Sequence, residues 1–398
     1  MDYCRIRTCR HVLLDLAYVF DVPLKDLLWV DKEFRSGLFY KYTDVPGNTK
    51  VKYFLDWATG NKIMKQLSEH SSDPLVELRK IHPEDTCGLN IFFKIMMNYQ
   101  DQLLQMVDYM KGTITELHYQ KEANTWKAKL NSTESHDSSI PEEKALEHSI
   151  VIESTNVCLA VGGKPVRHTN LHLGLPGKKP LPLEKCFSLD YLKANVPEGK
   201  TVAIVGNSHS AWVVMHHLHQ LNIKDLKVVS FYRGDIRYAQ FYPDFILYDN
   251  TGLKGIVCDW AKTIMDGTQT PSFAYKRVSV ADEDQMTTHI QTCDLFVYAI
   301  GYQRYDLPSI YYTPADMPKY EYFESKTPNV SRYVSHSNVN GCLQIPSKAN
   351  NHESLAGLYG FGLAFSEKVI TPAGEVEENI GHFKFWKCAE RWLQHTKY

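Results

Sequence analysis

No two of the nine cysteines are spaced Cys-x-x-Cys, and none joins a histidine at zinc-finger spacing. This excludes the redox-active dithiol of disulfide reductases and fits reduced thiols in a cytoplasmic protein. Neither sign of charge dominates: 44 Lys and Arg stand against 46 Asp and Glu, a net charge of -2, so no sequence-wide basic field is available to hold nucleic acid or an anionic membrane. No apolar run approaches the roughly 18 residues of a membrane span. Arg5, Arg7 and Arg10 precede the apolar stretch Val12 to Phe20, but Asp15 interrupts it and no small-residue cleavage site follows, so no secretory signal is read. What is present is 43% hydrophobic residues in a 398-residue chain, enough to fill the cores of two or three domains and to exclude intrinsic disorder.

The pattern along the chain is that of an α/β protein. His11 to Phe20 is apolar at helical spacing, Val22-Pro23 breaks it, and Leu27 to Val30 reads as a buried strand ending in Asp31. A long amphipathic helix is expected over Gly88 to Met110, its apolar stripe serving core packing, then a hairpin over Thr113 to Leu130 and a polar loop over Asn131 to Ser149. Val157 to Val161 is a continuous apolar run closing on Gly162-Gly163, as expected of a buried parallel strand with a sharp turn. Thr201 to Val205, the small-residue turn Gly206 to Ala211, the periodic stretch Trp212 to Leu221 and the apolar run Lys227 to Tyr232 form a βαβ unit, whose crossover implies a parallel sheet. Cys293 to Ala299 supplies a further strand before Gly301, and a last helix is expected from Ile380 to Trp392.

The turn Gly206 to Ala211 is the best local chemical signal. A parallel strand that stops at glycine and turns into a helix offers backbone N–H groups and a positive helix end to a pyrophosphate; Ser208 and Ser210 add hydroxyls. Gly206 is read as the residue that lets the phosphate approach the backbone. Arg233, at the end of the next strand, stands where NAD sites carry an acid and NADP sites often carry an arginine, so NADPH is the expected nucleotide. The same residues also fit an ordinary tight helix start and a solvated arginine. A different chemistry fits the turn as well: Gly206-x-Ser208-x-Ser210 comes close to a nucleophile elbow, with Ser208 as nucleophile and His352 or His382 as base, although Ser210 replaces the elbow's second glycine and no His-Gly-Gly loop precedes it. His216, His217 and His219 do not share a helix face at metal-ligand spacing, and His168 with His172 lacks a third ligand, so no metal is expected.

Two segments carry a family resemblance. Asp294-Leu-Phe-Val-Tyr-Ala-Ile-Gly-Tyr302 resembles the Asp-x-x-x-(Leu/Phe)-Ala-Thr-Gly-Tyr motif of the flavoprotein monooxygenases with two dinucleotide domains, in particular the lysine and ornithine N-hydroxylase branch, with Tyr298 and Ile300 as departures. Ala160-Val-Gly-Gly163 is similar to that family's first hinge. The resemblance implies two Rossmann-like domains, an FAD-type domain over residues 1–193 and 325–398 interrupted by an NADPH-type domain over 194–324. It implies an FAD- and NADPH-dependent monooxygenase, N-hydroxylating in type, of a small amine, in which the cofactors carry the hard chemistry. Asp31 or Glu33 would hold the FAD ribose, Gly162, Gly163 and Gly301 would form hinges under the cofactors, and Gly360 and Gly362 would return the chain to the flavin. Asn48 and Thr49 match the family's Asn-Thr loop at the flavin edge, where Asn48 would act; a turn asparagine after Pro46-Gly47 is the plain alternative. One departure stands out: Met-Asp-Tyr-Cys-Arg-Ile-Arg-Thr-Cys-Arg occupies the place of the family's first strand and Gly-x-Gly-x-x-Gly loop, so both are read as missing. The resemblance then implies weakened FAD binding, in a chain begun inside that element or diverged at it, and leaves a non-catalytic nucleotide-binding protein as an alternative. Oligomeric state is not legible.

Overall fold

The computed structural model describes residues 3–6, 23–60, 62–69, 75–132, 149–166, 178–313, 329–347 and 352–396. In chain order the strands are β1 (Tyr3–Ile6), β2 (Leu27–Asp31), β3 (Pro46–Lys50), β4 (Thr86–Gly88), β5 (Asp108–Gln120), β6 (Thr125–Ser132), β7 (Ser149–Ser154), β8 (Val157–Leu159), β9 (Gly163–Pro165), β10 (Lys179–Leu181), β11 (Thr201–Val205) and β12 (Lys227–Tyr232). They continue as β13 (Gln240–Phe241), β14 (Ile246–Leu247), β15 (Ala274–Ser279), β16 (Leu295–Tyr298), β17 (Tyr302–Arg304), β18 (Ser309–Tyr311), β19 (Ser335–His336), β20 (Cys342–Pro346), β21 (His352–Gly360), β22 (Glu367–Ile370) and β23 (Val376–Asn379).

Ten strands form the first sheet, ordered β19-β20-β21-β8-β1-β2-β5-β6-β7 with β18 also on β5. Its centre, β21-β8-β1-β2-β5, is parallel throughout, and both wings are antiparallel. The second sheet, β10-β16-β11-β12-β15, is wholly parallel. Helices His209–Leu221 and Gly255–Met265 cover one of its faces and Glu283–Thr292 the other. Val202, Ile204, Val228 and Trp212 are fully buried in that packing, and each of the three aliphatic side chains contributes roughly 1.5–3 kcal/mol. Two Rossmann-like units, the second inserted in the first, are what the sequence predicts.

Several expectations need correction. The first strand is present: Tyr3–Ile6 pairs in parallel with β2 on one side, and Ile6 with Leu159 of β8 on the other. Arg5 in its middle breaks the apolar run by which a central strand is usually read, and pairing on both edges decides instead. The strands also place the crossings between units earlier than the resemblance does. β10, before residue 193, already pairs in the second sheet, and β18, before residue 324, is back in the first. The helix expected to Met110 stops at Leu103, because its apolar stripe runs on into β5. The last helix is His382–Thr396. The helix expected over His11 to Phe20, the bulk of the polar loop at 131–149, and His168 and His172 lie outside the described residues. Among the described residues no helix is long and apolar enough to cross a membrane.

Candidate dinucleotide sites at the hinge between the sheets

Each sheet ends a parallel strand on a glycine turn, and the two turns are clasped together. After β8, Gly162 takes φ +72°, and after β16, Gly301 takes φ +106°; at both the space a Cβ would fill is open. The chain then runs into β9 and β17, which pair antiparallel with Gly163 opposite Arg304 and Pro165 opposite Tyr302. Val166 N–H donates to the Gly301 carbonyl (2.9 Å) and Tyr305 N–H to the Gly162 carbonyl (3.1 Å), so both turns are fixed to this ladder. Gly163 faces the Leu363 side chain, which a Cβ would meet at 3.1 Å.

The C-terminal return comes to the same edge. β21 ends beside Leu159, and Phe361 N–H donates to the Leu159 carbonyl at 2.9 Å. Gly362 (φ +75°), with open space at its Cβ, starts the short helix Gly362–Phe365. Gly360 is different: a Cβ there would meet the Phe365 ring at 2.5 Å and Leu343 at 2.6 Å, so packing alone accounts for it.

Asp31 is the last residue of β2, the strand next to β1, where a Rossmann-type site carries its ribose-binding acid. Its Oδ1 accepts from the N–H groups of Glu33 (2.8 Å) and Phe34 (2.9 Å), which fixes the carboxylate at the strand end. Glu33 is exposed and accepts from the Tyr40 hydroxyl at 3.3 Å.

Asn48 and Thr49 lie in strand β3 and not in a turn. Gly47 permits the close pairing with β4, since a Cβ would meet the Cys87 carbonyl at 2.2 Å. Thr49 Oγ1 reaches Asn48 Oδ1 at 3.5 Å. Gly255, at the start of a second-domain helix, packs against this strand: its Cβ would lie 3.1 Å from the Gly47 carbonyl and 3.6 Å from Asn48 Cα. Asn48 therefore sits on the seam between the two units.

In the second unit the turn after β11 leads into the helix His209–Leu221, with Ser208 as its N-cap residue. The reason for Gly206 differs from the one expected. Its φ is +126° and a Cβ would meet the Ala299 carbonyl at 2.2 Å, while its own N–H donates to the Phe231 carbonyl at 2.9 Å. The neighbouring strand requires the glycine, and that N–H is spent. Asn207 Nδ2 donates to the Gly234 carbonyl (2.8 Å), tying the turn to the loop that begins with Arg233, which is exposed. Burial, with Lys254 nearby, pushes the His209 imidazole down to about 4, and its Nδ1 is buried without a hydrogen-bond partner. Burial raises the phenols of Tyr42 and Tyr302, the latter to about 12, and the Tyr302 hydroxyl lies beside Tyr42 and Ser210. Both are neutral hydrogen-bonding groups at pH 7, and they carry the hinge ladder onto the Ser210 turn.

Of the two candidate bases for Ser208, His352 stands away from it. His352 stands at the first residue of β21, roughly 26 Å of strand from the Gly360 end that meets the hinge. The side chain of His382 lies outside the described residues. The helical histidines have structural work: His217 Nε2 lies 3.1 Å from the Asp44 carbonyl, and His219 Nδ1 accepts from Ser272 N–H at 2.9 Å. Among the described residues no cluster of three or more His, Cys, Asp or Glu has metal-binding geometry. One feature escapes sequence reasoning, because its partners are far apart in the chain. Asp249 of the second unit is paired with Lys254 and with Lys384 of the C-terminal helix, and Glu377 of β23 accepts from Asn250 N–H at 3.0 Å.

No protein-family model matches the chain. A monooxygenase of Paecilomyces divaricatus, AgnR1, is 25% identical over 389 residues, 93% of this chain and 91% of that protein. Among solved structures, the ornithine N-hydroxylase of Kutzneria sp. 744, held with reduced FAD, NADP+ and L-ornithine, aligns with 100% of this chain and 99% of its own at a TM-score of 0.60 and 12% identity. The L-lysine 6-monooxygenase of Pseudomonas syringae aligns over 100% and 99% at 0.58 and 12% identity. The fold is that of the ornithine and lysine N-hydroxylases.

Proposed function

We propose that the chain is an FAD- and NADPH-dependent monooxygenase, N-hydroxylating in type, that acts on a small amine in the cytoplasm. The observation that carries this reading is the hinge: a parallel strand of each sheet ends on an open glycine turn, Gly162 and Gly301, and one ladder clasps the two turns, so that a nucleotide on each sheet would approach the other beside that ladder. The residues present fit both nucleotides, because the open positions at Gly162, Gly301 and Gly362 leave room for a close approach. Asp31 would hold the FAD ribose, with Glu33 beside it in the same loop, and Gly162, Gly163 and Gly362 would lie under the isoalloxazine-bearing half. The Gly206 turn with Ser208 and Ser210 would face the NADPH diphosphate, and Arg233 its 2′-phosphate. Bound FAD would supply oxygen activation after reduction by NADPH. The chain's own part is to orient: Asn48 presents an amide on the interdomain seam, and the neutral Tyr42 and Tyr302 phenols hold the ladder against the Ser210 turn. The test is oxygen uptake by FAD-supplemented protein given NADPH and a panel of primary amines, with hydroxylamine assayed as product. Uptake without any amine-dependent product would remove the N-hydroxylating assignment.

A further inference from the structure

The hinge ladder carries a cation that has no carboxylate partner among the described residues. Arg304, on β17 opposite Gly163, is half-buried, and its guanidinium lies over the Phe365 ring with 5.1 Å to the centroid. No carboxylate pairs with it among the described residues, whereas nearby Lys164 has Asp306 (3.0 Å) and the seam lysines 254 and 384 share Asp249. A partly desolvated charge left unpaired is costly, and burial holds this guanidinium below the usual arginine range. Its direction is set by the strand: Tyr302, two residues earlier and so on the same face, reaches Tyr42 and Ser210. Arg304 therefore lies on the face of the ladder that carries Tyr302.

Its position gives it an anion to meet. Phe365 ends the short helix that begins at the open Gly362, next to Gly360, which pairs with Leu159, which pairs in turn with Ile6 at the end of β1. The end of the first parallel strand is where a dinucleotide's diphosphate sits, usually in a glycine loop. This chain has no glycine before Gly37. We propose that Arg304 binds the diphosphate of FAD, supplying through its guanidinium the charge-assisted bonds that a glycine loop would otherwise provide through backbone N–H groups. The inference rests on the reading that FAD occupies the first sheet. The Phe365 ring holds the guanidinium in place before the cofactor arrives, and its planar fork matches phosphate oxygens two at a time.

The test is equilibrium titration of flavin-free protein with FAD, followed by quenching of flavin fluorescence, for the unmodified chain, Arg304→Met and Arg304→Lys. Riboflavin, which has no phosphate, and NADPH are titrated in parallel. Arg304→Met should weaken FAD binding about 10- to 100-fold, Arg304→Lys less, and neither should change riboflavin or NADPH affinity. The flavin-free Arg304→Met protein should melt no lower than the unmodified one, since an unpaired charge is removed; a purely structural stack on Phe365 would lower that melting point and leave FAD affinity alone. Equal FAD affinity in the two proteins, or a loss that falls on NADPH or riboflavin instead, overturns the proposal. Should Arg304→Met fail to fold, the unmodified protein decides: its FAD affinity must fall with added salt while riboflavin binding does not, and a salt-independent FAD affinity overturns the proposal. An unmodified chain that binds no FAD overturns the reading of the first sheet itself, a separate result.

Discussion

At the scale of single residues, glycines of similar appearance in the sequence do different things. Gly206 and Gly162 both follow an apolar strand, yet Gly206 is held by contact with Ala299 while nothing meets the space at Gly162. Gly206→Ala should therefore cost about 2–5 kcal/mol of stability with no nucleotide present, from the clash and the positive φ together, and thermal unfolding of the nucleotide-free protein would reveal it. Gly162→Ala faces only backbone strain, on the order of 1 kcal/mol, and should act chiefly on FAD affinity. The positions of these glycines were legible because they interrupt apolar runs. The reason for Gly206 was not, because Ala299, just past β16, lies far along the chain. Arg233 was legible as the residue that follows its strand, and its exposure leaves it available: Arg233→Ala should abolish a preference for NADPH over NADH, read from the two dissociation constants. Equal affinities in the unmodified chain would show that Arg233 does not read the 2′-phosphate.

At the scale of elements, continuous apolar runs gave β2, β8, β11, β12 and β16 at once, since strands buried on both faces announce themselves. β1 was hidden by Arg5, and β10 and β18 by their shortness, which is why the crossings between the units were read too late. The hairpin β22–β23 and the C-terminal helix have a docking role that no local pattern announces, the hairpin through Glu377 with Asn250 and the helix through Lys384 with Asp249. Burial opposes the Asp249 charge, but the two lysines win and keep its carboxyl below the ordinary range. A depressed carboxyl pKa contributes stability above the unfolded value of about 3.9 and loses it as pH falls through the folded one. Asp249→Asn leaves two largely buried lysines without a partner and should cost about 3–5 kcal/mol at neutral pH, seen as a lower midpoint in denaturant. A loss no larger than that of an exposed ion pair would show that the seam is solvated in solution.

At the scale of the whole molecule, acid should loosen both units together. Burial holds His209 and His216 of the second unit and His336 of the first at about 4, so the folded chain keeps them neutral while the unfolded chain protonates them below about 6.5. The unfolded state then binds more protons between those values, and stability falls as pH drops from 6.5 toward 4, by up to about 1.4 kcal/mol per pH unit for each histidine. Melting temperatures at pH 7 and pH 5 measure this, and a flat profile would mean that the three rings reach water. The arrangement of two sheets was legible from the order of the motifs, whereas the hinge that joins them is a product of pairing between distant segments, Gly163 to Pro165 with Tyr302 to Arg304. The central claim is that FAD and NADPH meet at this hinge, and anaerobic spectroscopy tests it most directly. The protein should purify pale for want of a glycine loop, develop a shifted, saturable flavin spectrum when FAD is added, and bleach on addition of NADPH faster than with NADH. A flavin spectrum that stays that of free FAD at saturating cofactor, or a bound flavin that NADPH does not bleach, would contradict the account.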